Sequence, residues 1–358
     1  MSLLGAILAG GGSRRFGSPK TLARLHGTPL WKVAAGRLGQ VCDDVVAIVN
    51  HPGVARAVEL ETLPDRLRLM GPLGGIDAAL DRGLRDGHAA VMVLAVDMPW
   101  VEVEALRLVA DAWRRRGGVV LAEIEQPWGF HPLCGVYPVK TMAPLAEALS
   151  QRRLEAGPFA RSLDPLVVDT GLPPVAFRSV NRPADLPPPA VSVVGNKKSG
   201  KTTLAVNLIA ELRRRGRRVM SAKHGHHFRL DTPGTDSWRH RHEGRAERVL
   251  LVGPDEFGLM GEWDPHGEQS LDLLLTRHLT DAEIVVAEGF RRAAIPKVEI
   301  YRAEAQPEPV LDPAGARAAG AIAAVTDRPD LPWSVPVFDP DAADTPARVA
   351  DLAEAALL

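Results

Sequence analysis

Cysteine is scarce in this 358-residue chain, where Cys42 and Cys134 are the only two. They stand far apart and in no metal-binding or redox spacing, which excludes a disulfide framework and points to a reducing, cytoplasmic setting. Excess charge of one sign is missing as well. Lys and Arg number 43 and Asp and Glu 44, a net charge of −1. Nothing global would hold a nucleic acid or an anionic membrane as partner. No uncharged apolar run approaches the roughly 18 residues that a membrane span requires. The apolar start Leu3–Leu8 lacks a basic flank and runs into glycines, so it does not read as a secretory signal. What remains is ordinary globular composition, 46% hydrophobic and 24% charged, which excludes a wholly disordered chain. The length exceeds the roughly 150 residues of a typical domain and predicts two.

One architectural pattern occurs twice. An apolar segment meets a glycine-rich turn at Leu4–Gly12 and again at Val191–Gly200. Between them, Pro183–Pro189 contains four prolines; such a segment continues neither a helix nor a central strand and reads as a short semi-rigid spacer. The boundary is expected near residue 188. Both halves alternate short apolar runs with helical stretches, which predicts parallel α/β sheets. In the first half the spacing predicts strands at Gly5–Ala9, Val45–Val49, Ala90–Val96 and Val119–Ala122. Its predicted helices are Leu30–Gln40, Gly75–Asp86, Val103–Arg115 and Val139–Ser150. In the second half, strands are expected at Val191–Val194, Arg218–Ala222, Ile284–Ala287, Val298–Tyr301 and Ala321–Val325. Helices are expected at Lys201–Arg214, Leu271–Arg277 and Ala347–Ala356, with Thr345 as N-cap and Pro346 first in the last of these.

The first loop reads Leu8-Ala-Gly-Gly-Gly-Ser-Arg-Arg-Phe-Gly-Ser-Pro-Lys20. A strand ending in three glycines lets backbone amides approach a nucleotide closely, and Arg14, Arg15 and Lys20 can neutralise phosphate charge. Its spacing is neither G-x-G-x-x-G nor G-x-x-x-x-G-K-T, so the site is of a different kind. Asp97 ends an apolar run, where α/β proteins bind ligands, and as a hard oxygen ligand it suits Mg²⁺; the competing reading is a cap for the following helix. His131 reads as an ordinary loop residue or a metal ligand. Cys134 reads as core, and Arg114–Arg116 as a solvated helix end.

The first loop resembles the signature L-A-G-G-x-S-x-R-[MF]-G-x-D-K of nucleotidyltransferases that activate sugars and molybdopterin. The closer resemblance is to molybdenum cofactor guanylyltransferase, the MobA family. Further segments match in order: Leu63–Asp65, Gly71–Gly75, Asp97–Pro99, His131–Tyr137 and Val180–Leu186. The resemblance implies that Leu8, Ala9 and Gly10, with Gly11 beside them, contact guanine and ribose. It implies that Arg15 and Lys20 hold the GTP phosphates, that Asp65 and Asn50 serve the nucleoside, and that Asp97 binds Mg²⁺. Pro19 stands where the family has Asp, and Ser179 where some members have the first Asn of an N-x-N pair.

The second loop, Gly195-Asn-Lys-Lys-Ser-Gly-Lys-Thr202, is a complete G-x-x-x-x-G-K-T sequence between an apolar strand and a helical stretch. Such a loop cradles phosphates at a helix N-terminus. Gly195, Ser199, Gly200, Lys201, Thr202 and Thr203 are its candidate GTP contacts. Lys201 would reach the β- and γ-phosphates, and Thr202 would bind Mg²⁺. Glu288, at the end of an apolar run, fits a Walker-B role. Three histidines, His224, His226 and His227, read as an anion-contacting loop or a zinc site. The segment Lys223–Ser237 is similar to K-H-x-H-H-x-x-x-D-x-x-G-x-D-[ST] of the MobB family, the GTP-binding adapter of molybdopterin-guanine dinucleotide synthesis. Glu288–Phe290 and Pro296–Ile300 match that family too, while Asn196 and Lys197 differ from the small residues often seen there.

Together the resemblances imply a fusion of α/β class. Residues 1–187 would form a Rossmann-like nucleotidyltransferase domain, and 188–358 a P-loop NTPase-like adapter domain. The implied partners are molybdenum-molybdopterin, a molybdenum insertion protein and apo-molybdoenzymes. Two alternatives stay open: a cytidylyltransferase using CTP, against which Met98 counts because those relatives often carry Gln there, and a second domain that is a non-catalytic docking module.

Overall fold

The computed structural model describes residues 1–10, 16–67, 69–124, 128–225, 228, 231–263 and 267–358. The chain divides into two compact units, Met1–Leu186 and Pro187–Leu358.

The first unit is built on a seven-stranded sheet. In spatial order its strands are Thr62–Leu63, Asp44–Ile48, Leu3–Leu8, Ala90–Ala95, Phe130–Pro138, Val120–Glu123 and Leu166–Val168. The first four run parallel. Phe130–Pro138 runs antiparallel to both its neighbours, so the sheet is mixed where the sequence pattern predicts a parallel one. Leu3–Leu8 is buried throughout because both faces are covered. Leu3 and Ile7 pack with Leu30, Trp31, Leu38, Val109 and Trp113. Leu4, Ala6 and Leu8 pack on the opposite side with Leu73, Ile76, Leu80 and Leu145.

The helices depart from their predicted bounds. Gly71–Arg85 starts four residues before the predicted Gly75, because Pro72 is tolerated in a first turn. The predicted Val139–Ser150 helix divides into a 3₁₀ turn, Val139–Thr141, and the helix Met142–Ser150. Leu30–Leu38 and Val103–Arg116 lie close to expectation. Pro52–Ala57 and Ala156–Ser162 are helices too short for the periodicity to reveal.

The second unit carries a six-stranded, fully parallel sheet in the order Val219–Lys223, Ile284–Glu288, Ala190–Val194, Lys297–Tyr301, Ala321–Thr326 and Val337–Phe338. Val191 and Val193 pack against Leu204 and Leu208 of the helix Lys201–Arg214 and Val349 and Ala353 of Thr345–Leu357. Arg215 ties these two helices by ion pairs to Asp351 at 2.7 Å and Glu354 at 2.8 Å. Asp344, not Thr345, is the N-cap residue, and Thr345 is the first helical residue. An antiparallel hairpin, Arg248–Val252 with Phe257–Gly261, and the helices Asp236–His242 and Leu271–His278 complete the unit.

The proline-rich segment is less free than a spacer. Pro183–Asp185 forms a 3₁₀ turn, and the Asp185 carboxylate accepts the N–H groups of Asn181 at 2.7 Å and Arg182 at 2.8 Å. Pro187 and Pro188 are buried, and the Pro189 carbonyl accepts the N–H of Val285 at 2.8 Å. No helix among the described residues is long and apolar enough to cross a membrane.

Candidate functional site

Register brings the carboxyl ends of three strands of the first sheet together. Leu8 pairs with Ile48 on one side and Ala95 on the other. The chain then peels away on both sides of the central strand, which is where open α/β sheets form ligand crevices. A pocket of about 280 Å³ lies there, lined by Leu8, Ala9, Gly10, Lys20, Asp65, Asp97 and neighbouring residues. Six residues singled out from the sequence thus meet in one cavity. Gly11 and Arg15 lie outside the described residues.

Each wall has a local cause. After Pro19, with φ near −62°, the chain makes the 3₁₀ turn Lys20–Leu22. The Thr21 hydroxyl donates to the Ala9 carbonyl at 3.3 Å, holding that turn on the strand end. The Lys20 ammonium then lies 3.2 Å from the Asp97 carboxylate and donates to Asn181 Oδ1 at 2.9 Å. Val180 N–H donates to the Asp97 carbonyl at 2.8 Å, which keeps Asn181 beside it. Asp97 is no helix cap, because the following helix has Glu102 at its N-cap. On the opposite wall, Asn50 does not line the pocket but holds Asp65, giving and taking hydrogen bonds of 2.8 Å. Burial raises the Asp65 pKa above the ordinary carboxylate value, and the Asn50 contact opposes that rise. Close approach explains Gly75, where a Cβ would lie 3.0 Å from Leu8 Cδ2.

Other residues settle into place. His131 belongs to a strand, not a loop. Cys134 is fully buried in the core, and burial pushes its thiol up to about 12. Met98 is buried in the core and does not line the pocket. Arg114, Arg115 and Arg116 are exposed in the last turn of Val103–Arg116. Asn181 is the site residue the sequence reading passed over, although it lies within the matched segment Val180–Leu186.

In the second unit the loop after Ala190–Val194 turns through positive φ at Gly195, Lys198 and Gly200. A Cβ on Gly195 would stand 2.3 Å from the Ile300 carbonyl oxygen, so no larger residue fits. The loop delivers Lys201, Thr202 and Thr203 into the first turn of Lys201–Arg214. Lys201 Nζ donates to the Asn196 carbonyl at 2.6 Å, and partial burial lowers its pKa against the opposing charge of Glu288. Ser199 Oγ is buried with no hydrogen-bond partner among the described residues. Thr202 Oγ1 donates to Glu288 Oε1 at 3.0 Å, and Lys223 Nζ donates to the same oxygen at 2.9 Å. The register pair Val193 with Glu288 explains why that carboxylate stands beside the loop. Thr203 is exposed.

His224 Nε2 lies 3.2 Å from a Glu268 carboxylate oxygen, while His226 and His227 lie outside the described residues. Among the described residues no three His, Cys, Asp or Glu side chains are grouped to hold a metal. The donor chemistry nevertheless fits Mg²⁺. Asp97 in one site, and Thr202 with Glu288 in the other, are hard oxygen donors, and Mg²⁺ commonly takes one or two such groups with phosphates and water completing its shell.

A glycine-edged pocket at a strand switch point, followed by a complete phosphate-binding loop, defines an α/β nucleotidyltransferase joined to a P-loop domain. Residues 5–165 match the MobA-like NTP transferase domain, and residues 190–327 match molybdopterin guanine dinucleotide synthesis protein B. Over 195 residues the chain is 32% identical to a Rhodopirellula baltica protein named probable molybdenum cofactor guanylyltransferase, covering 52% of this chain and 91% of that one. A Methanothermobacter thermautotrophicus protein of the same name is 32% identical over 193 residues, covering 51% and 95% respectively. Over 129 residues the chain is 39% identical to the molybdopterin-guanine dinucleotide biosynthesis adapter protein of Haemophilus influenzae, covering 35% of this chain and 70% of that one. The chain belongs to the molybdenum cofactor guanylyltransferase family in its first half and to the MobB family in its second.

Proposed function

We propose that the first unit transfers GMP from GTP to the terminal phosphate of molybdenum-molybdopterin, releasing pyrophosphate and forming molybdopterin guanine dinucleotide. The observation that carries this reading is the placement of Lys20 between Asp97 and Asn181 at one end of the pocket, with Asp65 at the other. The Lys20 ammonium suits the triphosphate. The half-buried carboxylate of Asp65 suits the donor edge of a base, framed by the backbone of Leu8, Ala9 and Gly10. The names of the guanylyltransferase relatives favour GTP over CTP, and so does the adapter-like second half.

The attacking group is already a phosphate anion, so the reaction needs no protein base or covalent nucleophile. An acceptor oxygen bonds to the α-phosphorus, and the bond to the β-phosphate oxygen breaks with its electron pair leaving on pyrophosphate. Lys20 neutralises the charge that collects on the leaving group, with Arg15 assigned the same role by the family pattern. Asn181 and Asp97 fix the Lys20 ammonium. Asp97 would hold Mg²⁺, which supplies Lewis-acid charge neutralisation when bound.

For the second unit, we infer GTP binding with slow turnover, with Lys201 on the phosphates and Thr202 and Glu288 on the Mg²⁺ side. The name of the adapter relative supports a protein partner, for which we propose an insertion protein or apo-molybdoenzymes. Incubating the full chain with GTP, Mg²⁺ and molybdenum-molybdopterin tests the main reading: dinucleotide and pyrophosphate should form in equal amounts. Hydrolysis of GTP without dinucleotide would contradict it.

A further inference from the structure

The second unit holds a cavity that guanylyl transfer and the phosphate loop leave unexplained. It measures about 940 Å³, and Phe228, Asp231, Ser237, Trp238, Arg241 and Met260 are among its lining residues. That volume lies within the roughly 300–1,000 Å³ of small-molecule sites. The hairpin strand Phe257–Gly261 contributes Met260, which is buried. The helix Asp236–His242 contributes Trp238, Arg241 and His242, whose spacing of three and four residues puts them on one face. The Trp238 and His242 rings lie against each other with centroids 4.7 Å apart.

Two polar atoms on the residues of this cavity are buried and unsatisfied. Asp231 Oδ1 accepts from Thr232 N–H at 2.9 Å and from the Thr235 and Ser237 hydroxyls at 3.0 Å each. Three donors saturate that oxygen and favour the ionised carboxylate. Asp231 Oδ2 is shut away from solvent with no hydrogen-bond partner among the described residues, and so is Arg241 Nε. The contact of Arg241 with the exposed Glu262 is long, at 4.0 Å, and uses a different nitrogen. Buried atoms left unpaired are costly unless a ligand completes them.

The pairing of these two atoms selects the chemistry of the ligand. A metal ion or an ammonium group would meet the Arg241 charge, and a phosphate or carboxylate would meet that of Asp231. A neutral ring with N–H groups on one edge and a carbonyl oxygen beside them satisfies both, and Trp238 and His242 offer it aromatic surface. The 2-amino-4-oxopyrimidine edge shared by guanine and pterin has this pattern. Its amino and ring N–H groups donate to a carboxylate, and its carbonyl accepts from a guanidinium.

Position separates the two sources. The strand Val219–Lys223 ends at Lys223, whose ammonium donates to Glu288 at 2.9 Å, on the side of the loop assigned above to Mg²⁺ and the terminal phosphates. Gly225 follows within about 7 Å of chain. The Phe228 ring packs on it, since a Cβ on Gly225 would stand 3.0 Å from Phe228 Cζ. The cavity therefore opens beyond the terminal-phosphate end of a nucleotide in the loop, whose own guanine lies at the other end of the triphosphate. We propose that this cavity binds the pterin of molybdopterin, with Asp231 Oδ2 accepting from the amino edge and Arg241 Nε–H donating to the ring carbonyl. The second unit then holds the cofactor as well as GTP. Molybdopterin as the source of the pterin rests on the guanylyl-transfer reading above.

Free pterin tests this in the full chain without any transfer reaction. By calorimetry, Asp231→Asn and Arg241→Met should each weaken pterin binding to the second unit about tenfold or more, the scale for a lost hydrogen bond to a charged group. The first unit is unchanged in both variants, so the binding lost is that of the second. Lumazine, in which a carbonyl replaces the 2-amino group, should bind wild type about tenfold more weakly than pterin, and Asp231→Asn should abolish that preference. Guanosine tests the other source, and its binding should not depend on Asp231. Circular dichroism establishes that each variant is folded, and either folded variant alone decides the outcome. Wild-type pterin affinity in a folded variant, a pterin preference that survives Asp231→Asn, or an Asp231-dependent guanosine site as tight as that for pterin would overturn the assignment. Dinucleotide formation by wild type is scored separately. If it occurs while pterin binding ignores Asp231 and Arg241, the cavity assignment alone falls; if it does not occur, the functional reading falls and the pterin titrations judge the cavity.

Discussion

Asn50 and Asp65 hold each other by two reciprocal hydrogen bonds, each 2.8 Å long: the Asn50 amide donates to the Asp65 carboxylate, and the Asp65 backbone N–H donates to the Asn50 carbonyl oxygen. A half-buried carboxylate is thereby fixed on the pocket wall from behind. Asn50→Ala should raise the GTP KM about tenfold and leave kcat within a few-fold, because the loss is one of positioning. Steady-state kinetics with GTP varied checks the split. A fall confined to kcat would remove Asn50 from this role.

Acidification should act through the same carboxylate. Burial raises the Asp65 pKa, so its anion is lost at a higher pH than an ordinary carboxylate as the solution is acidified. GTP affinity that depends on the anion should decline on that earlier schedule, and Asp65→Asn should lack that phase. Calorimetric titrations from pH 7 downward would reveal it, and identical pH profiles for both proteins would count against the contact.

Lys20→Ala and Asp97→Ala should each lower guanylyl transfer about 10²-fold or more with the fold intact, the scale for removing preorganised charge contacts. Lys20→Arg should not restore activity fully, since a planar fork does not reproduce a point-charge ammonium between Asp97 and Asn181. Near-normal turnover by either Ala variant would move the reaction elsewhere.

Much of this was legible because buried parallel strands announce themselves as near-continuous apolar runs, as Leu3–Leu8 and, with Ser192 as its one polar residue, Ala190–Val194 do. The strand Phe130–Pro138 was not, because Pro132 and Gly135 interrupt a pattern that only its neighbours complete. The hairpin Arg248–Val252 with Phe257–Gly261 escaped for a different reason. Leu250, Val252, Phe257 and Leu259 are all exposed, so no in-out alternation marks it. Loop chemistry pointed to Lys20 and Lys201, the end of an apolar run to Asp97, and the family resemblance alone to Asp65. Asn181 depends on a contact with Lys20 across 161 positions, which only the folded sheet makes visible.

The two units should separate at Leu186/Pro187. Fragments 1–186 and 187–358 should each fold and bind GTP, with Lys201→Ala weakening binding only in the second. A fragment starting at residue 190 should melt lower than one starting at 187, because it loses buried Pro187 and Pro188 and the Pro189 carbonyl that accepts Val285 N–H. Equal melting temperatures would mean that those prolines contribute nothing to the second unit.

The central claim is guanylyl transfer, and nucleotide discrimination by the full chain tests it most directly. With Mg²⁺ and molybdenum-molybdopterin present, kcat/KM for dinucleotide formation should be measured with GTP, CTP, ATP and UTP in turn. GTP should exceed each of the others by about 10²-fold or more, the scale at which mispaired buried polar groups reject a wrong ligand. Equal or faster transfer from CTP would make the protein a cytidylyltransferase and contradict the account.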